Sequence, residues 1–240
     1  MTVSKQQEQR PYWVSAVLFA ICAVLVVVFI ALGNWQMQRL SWKLDLIEAV
    51  ETRAYGEAVA LPNEFDPDQH AYLRVQTSGK FVDNDHIAVK AVTELGQGYW
   101  IMMPMRVDED ILWVNRGFVS SKQRNFDTWS KASNDITGLL RPSEVNGTLL
   151  EQNNPNQNRW VARDTLAMSE KLGLDVDKTL PYFIDADHLG QAGALPRGGL
   201  TKINFRNTHL VYALTWYAMA LFLSAALFYI FRFHKSLRDH

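Results

Sequence analysis

The stretch that decides the fold is residues 206–231, which read RNTHLVYALTWYAMALFLSAALFYIF. After His209 the stretch carries no charged residue as far as Phe231. At 1.5 Å rise per residue, a helix over residues 210–231 spans about 33 Å, which matches a hydrocarbon core of about 30 Å. The stretch therefore predicts a membrane-spanning helix with a histidine at its entrance.

A second uncharged apolar run lies near the other end of the chain, at residues 12–32. Lys5 and Arg10 precede it, and the small residues Ala31 and Gly33 near its end resemble a signal-peptide cleavage site. The apolar core of a signal peptide has only about 7–15 residues, so the length of this run favours a retained membrane helix. The leading tail also lacks the Arg- and Ser-rich composition of a transit peptide, which favours a bacterial inner-membrane protein.

The polar sequence between the two runs forms one large domain. Residues 36–208 hold 19 of the 24 Lys and Arg and 23 of the 25 Asp and Glu, which gives a net charge of −4. This balance argues against nucleic acid as a partner, because a nucleic-acid-binding domain presents a basic face. The only cysteine is Cys22, inside the first apolar run, so no thiol pair exists for redox or copper chemistry.

Hydrophobic periodicity predicts the elements of this domain. Leu40, Leu44 and Ile47 follow helical spacing, so we expect the first helix to continue to about Tyr55. Asp164 and Gly173 predict the two ends of a short helix between them. Short β-branched or aromatic runs predict strands at residues 87–92, 99–103, 111–114 and 136–140, with turn-forming residues at 83–85, 96–98 and 146–147.

The expected fold is thus two transmembrane α-helices flanking a mainly antiparallel β domain outside the membrane, with a short helix (α+β). The expected segments are a first span at residues 12–35, a helical extension at 36–56, a β-rich domain at 57–208 and a second span at 209–231. Two spans place both terminal tails, residues 1–11 and 232–240, on the same side of the membrane. The Lys and Arg around the spans favour cytoplasmic termini only slightly.

Several polar groups in the domain have both a functional and a structural interpretation. Residues 185–188 (DADH) offer oxygen and nitrogen ligands for a metal, but such residues are also common in loops after strands. Residues 102–105 (MMPM) offer thioethers for Cu(I), although core packing is the better explanation. Residues 115–118 (NRGF) predict a strand end followed by a turn, with Arg116 in a structural ion pair. Asn146-Gly147-Thr148 matches a glycosylation sequon and equally a simple turn. The chain shows no motif of an enzyme.

His209 is the strongest candidate for a binding residue. Ionisable residues are costly at membrane depth, and imidazole is a common axial ligand of haem iron. Tyr212 and Trp216 share a helical face with His209 and can wall a porphyrin, while Arg206 and Arg39 lie near the same interface and can pair with its propionates. The alternative is that His209 caps the helix or sits in the interface, where Trp and Tyr are enriched without any ligand.

Short motifs with a fixed order and spacing carry a resemblance that covers nearly the whole chain. They are residues 32–39 (LGNWQMQR) with 42–43 (WK), 72–75 (YLRV), 79–81 (GKF), 115–119 (NRGFV), 138–141 (GLLR), 158–160 (NRW), 163–164 (RD), 181–186 (PYFIDA) and 207–217 (NTHLVYALTWY). In these motifs the chain resembles the Surfeit-locus-one family, which are membrane-anchored assembly factors of cytochrome c oxidase.

This resemblance implies a cellular location and a function. It implies an inner-membrane protein with both tails in the cytoplasm and residues 57–208 in the periplasm. It implies that the chain binds haem a through His209 and presents it for insertion into catalytic subunit I of a haem-copper oxidase. Gly33, Trp35 and Gln36 match a family motif that implies importance without a defined role. Residues 207–208 (NT) replace the doubled asparagine that many members show before the histidine.

Two functions from different classes follow from the resemblance. The first is a haem chaperone with subunit I, haem a synthase and membrane lipids as partners. The second is a cofactor-free membrane scaffold that holds an immature oxidase subunit. An enzyme that modifies haem is disfavoured, because such enzymes need many spans and several histidines at membrane depth. Whether the client is a cytochrome c oxidase or a quinol oxidase is left open by the sequence.

Overall fold

The computed structural model describes residues 12–82, 86–123, 129, 133–145, 147, 151–188, 193–201, 203, 205 and 207–236. The chain divides into two compact units, a helix-pair unit (Met1–Ile47 with Asn204–His240) and a β unit (Glu48–Ile203). Arg206, Asn146, both terminal tails as far as residue 11 and from residue 237, and the predicted turn at 83–85 lie outside the described residues.

Two long helices carry the two apolar runs. Helix α1 covers Tyr12–Tyr55 and ends at the residue where the sequence pattern predicts its end, and helix α4 covers His209–Ser236. Both are long and apolar enough to cross a membrane, with a mean hydropathy of 3.1 for the most apolar window of α1 and 1.8 for that of α4. Only 6% of each window is buried, whereas the core helix of a soluble protein is mostly buried. The chain is therefore a membrane protein, as predicted.

The β unit contains one seven-stranded sheet in the order β1-β6-β7-β5-β4-β2, with β3 also pairing to β4. Its strands are β1 Arg74–Ser78, β2 Lys80–Phe81, β3 Ile87–Thr93, β4 Gly96–Val107, β5 Asp110–Ser120, β6 Asp135–Pro142 and β7 Thr179–Ala186. All pairs are antiparallel except β5 with β7, which is parallel. The prediction of a mainly antiparallel domain is confirmed.

Both faces of the sheet are covered, which explains why its central strand β5 is buried from Ile111 to Val119. Leu112 and Val114 point into one core together with Met105 of β4. Trp113, between them, points into the opposite core. Because successive side chains alternate between faces, a strand covered on both sides is buried at consecutive positions.

The described part of the β unit also contains three short helical segments: α2 (Pro67–His70), a 3-10 turn (Pro155–Gln157) and α3 (Thr165–Leu172). The bounds of α3 agree with the prediction. The Asp164 carboxylate accepts a hydrogen bond from the Ala167 amide at its start, and Gly173 ends it in a left-handed conformation at φ 67°. Met168 of α3 packs against the sheet core around Trp113.

Two predicted turns are wrong. Residues 115–118 lie inside β5, since Phe118 exchanges two main-chain hydrogen bonds of 2.9 Å with Arg197. Gly117 adopts φ 128° there, and the close main chain at Arg197 leaves no room for a Cβ. The glycine thus marks close approach of another segment and not a turn. Residues 96–98 also belong to a strand, because Thr93 pairs with Gly96 and places the hairpin turn before it.

Candidate functional site

His209 is the first residue of α4, and the residues before it form the entry to the helix. The His209 main-chain amide donates to the Asn207 side-chain oxygen at 3.2 Å, and the Tyr212 amide donates to the Thr208 carbonyl at 3.2 Å. Asn207 therefore satisfies one of the amides that a helix start leaves without an internal partner. The imidazole itself does not cap the helix, and it is only partly buried.

The imidazole of His209 is held by the other membrane helix. Its Nδ1 lies 2.8 Å from the Gln36 side-chain oxygen on α1. An amide oxygen only accepts hydrogen bonds, so this contact is a hydrogen bond in the tautomer that carries its proton on Nδ1, and that tautomer has its lone pair on Nε2. Within the described part of the chain, no hydrogen bond to Nε2 is found. A nitrogen in this state is the form of histidine that ligates metals.

A glycine sets how closely the two helices approach near this histidine. A Cβ on Gly33 would lie no more than 2.8 Å from three carbons of the Tyr217 ring. The Tyr217 hydroxyl then donates to the Asn34 side-chain oxygen at 2.7 Å. Small residues at the interface allow such approach between membrane helices, and Ala213 and Ala220 are buried in the same way.

The two aromatic residues predicted beside His209 occupy different environments. Trp216 is half-buried, and its ring packs against Phe29 of α1 with 5.7 Å between centroids. Tyr212 is 54% exposed, so it lies at the border of the helix-pair interface. The structure thus places Trp216 beneath the histidine on the α1-facing side, and it leaves Tyr212 accessible from outside.

The predicted cations are only partly described. Arg39 stands on α1 with its guanidinium 5.3 Å from the centre of the Trp42 ring, and Arg206 lies outside the described residues. Sequence reasoning did not include Lys43, whose ammonium lies 5.1 Å from the ring centre of Phe205, just before α4. Each contact joins one cation to one aromatic ring, and Phe205 lies far from Lys43 in the sequence, so no local pattern predicts the second contact.

The side chains of the helix pair are of the kinds that would hold a haem. They offer the imidazole of His209 with Nδ1 held by Gln36, the aromatic ring of Trp216 on the same helix, and cationic side chains at Arg39 and Lys43. They do not fit a metal ion held by several side chains. Among the described residues there is no group of three or more His, Cys, Asp or Glu that can hold one.

The β unit contains a second polar centre, which sequence reasoning missed. The Asp185 side chain is only 4% exposed and accepts hydrogen bonds from four side chains: Asn115 at 2.7 Å, Thr201 at 2.9 Å, and Arg141 and Arg163 at 3.2 Å each. Each of these residues except Thr201 lies in one of the short motifs. No spacing in the sequence reveals that the motifs converge on one carboxylate.

Charges balance within this centre. Arg163 also bonds Glu144 through two of its nitrogens. Burial alone would lower the pKa of Arg163, but the negative charges of Asp185 and Glu144 outweigh it and raise the pKa. Burial would likewise raise the pKa of Glu144, and the hydrogen bonds and charge of Arg163 reverse this and lower it. Such a network of paired charges stabilises a fold, although Nε of Arg141 is buried without a hydrogen-bond partner in the described part of the chain.

The two metal alternatives from the sequence can now be assessed. Asp185 has its oxygens engaged by the four donors above, and Asp187 forms an ion pair with Arg74, so residues 185–188 do not form a metal site. Met102, Met103 and Met105 are at most 3% exposed and pack in the sheet cores. Core packing therefore explains these methionines, as the sequence favoured.

Comparison with known proteins agrees with this architecture. The model of the SURF1 family matches residues 23–221, which include most of α1, the whole β unit and the first part of α4. The chain belongs to the SURF1 family. Surfeit locus protein 1 of Homo sapiens is 31% identical over 91% of this chain and 77% of its own length. That of Mus musculus is 32% identical over 78% and 67%, and a SURF1-like protein of Monosiga brevicollis is 30% identical over 87% and 83%.

Membership confirms the resemblance that the short motifs carry. With it comes the general role of the family, which is assembly of cytochrome c oxidase. The matched region contains His209, Gln36 and Gly33. The histidine and the glycine that faces Tyr217 therefore both lie in the part of this SURF1 protein that the family model covers.

Proposed function

We propose that this SURF1 protein binds haem a through His209 and assists its insertion into catalytic subunit I of a haem-copper oxidase. The observation that carries this proposal is the state of the imidazole: Nδ1 is bonded to Gln36, and Nε2 has no hydrogen-bond partner in the described part of the chain. An imidazole that served only for packing would gain from pairing both nitrogens in an apolar setting. Haem a supplies the oxidase with its redox chemistry.

Each residue of the site has a distinct task in this proposal. His209 ligates the iron, and Trp216 and Tyr212 contact the macrocycle. Arg39 and Arg206 pair with the propionates, because guanidinium groups bind carboxylates through two parallel hydrogen bonds. A single neutral ligand at the membrane edge binds the cofactor without enclosing it. This suits a protein that must release its cargo to a client.

The membrane arrangement follows the same logic. We infer a two-pass protein of the bacterial inner membrane, with cytoplasmic tails and a periplasmic β unit. Haem a is hydrophobic and moves within the bilayer, so haem a synthase as donor, subunit I as acceptor and the surrounding lipids are the expected partners. The lipid-facing surfaces of α1 and α4 provide the contact, because few residues of either apolar window are buried.

The test is the visible spectrum of the full chain purified from cells that make haem a. We expect the wild type to carry haem a and His209→Ala to lose most of it. The matched control is His234→Ala, a histidine of the same helix about 37 Å away along the axis, which should retain the haem.

Two outcomes contradict the proposal. Equal haem in the wild type and His209→Ala would rule out this ligand. If no variant carries haem and oxidase assembly in cells still requires the protein, the cofactor-free scaffold is the correct function. A circular dichroism spectrum of each variant separates these outcomes from a failure to fold.

A further inference from the structure

We infer that Gln36 is the positioning residue of the site, which fixes the tautomer and orientation of His209 by accepting the proton on Nδ1. The inference rests on the proposed function only in what it says about haem. The state of the imidazole itself is a property of the free protein. The carrying contact is the 2.8 Å distance between Nδ1 and the Gln36 oxygen.

The position of Gln36 is fixed by its surroundings. It lies within the continuous helix α1, three residues after Gly33 and two after Asn34. Both of these residues engage Tyr217 of α4, one by close contact and one by a hydrogen bond of 2.7 Å. The two helices are therefore held in one register on the same turn of α1 that carries Gln36. This explains why a motif with Gly33 and Gln36 three residues apart can serve one site.

The chemistry of the acceptor determines how this contact affects the orientation and basicity of the His209 ring. A histidine that ligates a metal usually donates its other ring N–H to a carboxylate, a carbonyl or water, and this bond sets the ring orientation and raises ligand basicity. A carboxylate raises it most, because it is charged. Gln36 is a neutral acceptor, so it orients His209 without making it a strong ligand. A neutral acceptor thus suits a site that releases its cofactor.

The inference is tested without haem, by 15N NMR of the full chain in detergent with labelled histidine. Protonated and unprotonated ring nitrogens of a neutral imidazole have well separated shifts. We expect the Nδ1–H tautomer in the wild type. Gln36→Leu should move the tautomer ratio toward Nε2–H by about threefold to tenfold, the effect of losing one hydrogen bond. Gln38→Leu is the matched control, an exposed glutamine of the same helix, and should leave the ratio unchanged.

A second variant tests how the charge of the acceptor at position 36 affects haem binding. Gln36→Glu keeps an acceptor for Nδ1, so the Nδ1–H tautomer should persist. In the haem-loaded protein it should tighten binding and lower the reduction potential, while Gln36→Leu should weaken binding by about 10- to 100-fold. Failures are distinguishable. A wild-type Nε2–H tautomer, or a ratio that Gln36→Leu leaves unchanged, overturns the inference but not haem binding. A confirmed tautomer in a protein that never takes up haem overturns the proposed function alone.

Discussion

The helix-pair unit and the β unit differ in how their central polar side chains are paired. In the β unit, the Asp185 carboxylate receives hydrogen bonds from four side chains, two of them arginines. In the helix pair, the His209 ring has one neutral partner, Gln36, and a second nitrogen that no described residue bonds. Saturation is typical of a group that stabilises the fold, and an open lone pair is typical of a group kept for a ligand. The contrast assigns the stabilising charges to the β unit and, under the proposed function, the ligand-binding side chain to the helix pair.

The largest expected effect tests whether the Asp185 centre is structural. Asp185→Ala leaves Arg141 and Arg163 buried without their shared carboxylate, and removing one partner of a buried ion pair costs about 3–5 kcal/mol of unfolding free energy. Urea unfolding of the full chain in detergent, followed by the fluorescence of buried Trp113 and Trp160, measures the loss. Haem content should be unchanged where the protein is folded.

The control for this experiment is Glu109→Ala. Glu109 is 88% exposed and pairs with Lys178 at 2.8 Å, so its removal should leave the unfolding midpoint unchanged. If Asp185→Ala has no larger effect than Glu109→Ala, the Asp185 centre is not what stabilises the β unit, and the contrast between the units fails.

The next effect tests the helix pair. Gly33→Ala places a Cβ against the Tyr217 ring and should cost about 1–3 kcal/mol, as overpacking does elsewhere. It should also disturb the register that brings Gln36 to His209, so haem content should fall. Unfolding of the helices in SDS, followed by circular dichroism, measures the stability change.

A double variant shows whether the cost is steric. Gly33→Ala combined with Tyr217→Ala removes the ring that the new Cβ meets, so the two changes together should cost less than their sum. If the unfolding costs of the two changes simply add, the space at Gly33 is not what accommodates the Tyr217 ring.

Local elements and long-range strand pairings differ in how well the sequence predicts them. The apolar runs, the end of α1 at Tyr55 and the ends of α3 at Asp164 and Gly173 follow from local patterns, because length, periodicity and capping are properties of short segments. The strands β1 and β7 are not among the predicted strands. Their pairing partners lie far along the chain, as with Arg74 opposite Leu139.

Site residues follow the same division. His209 is identifiable because a lone histidine at the edge of an apolar run is a local anomaly. Its partner Gln36 lies 173 residues away, and the motif around it suggests importance without a task. The convergence of Asn115, Arg141 and Arg163 on one carboxylate depends on strand order, which no local pattern encodes.

The smallest effect concerns acid. The pKa of Glu144 is lowered in the folded protein: burial opposes this, and the hydrogen bonds and charge of Arg163 outweigh it. A carboxyl with a lowered folded pKa stabilises the fold above its unfolded pKa of about 4.3, and that stability is lost as the pH falls through the folded value. The unfolding free energy should therefore decrease below about pH 4.3, and Glu144→Gln should make this decrease shallower.

Urea midpoints measured between pH 7 and pH 3 give both slopes. The effect should be smaller than that of Asp185→Ala, because Glu144 is 36% exposed and solvent screens its pairing with Arg163. An acid slope identical in the wild type and Glu144→Gln would mean that Asp185 alone compensates the arginines. The charge balance of the β unit would then rest on one carboxylate, just as the proposed haem binding of the helix pair rests on one imidazole.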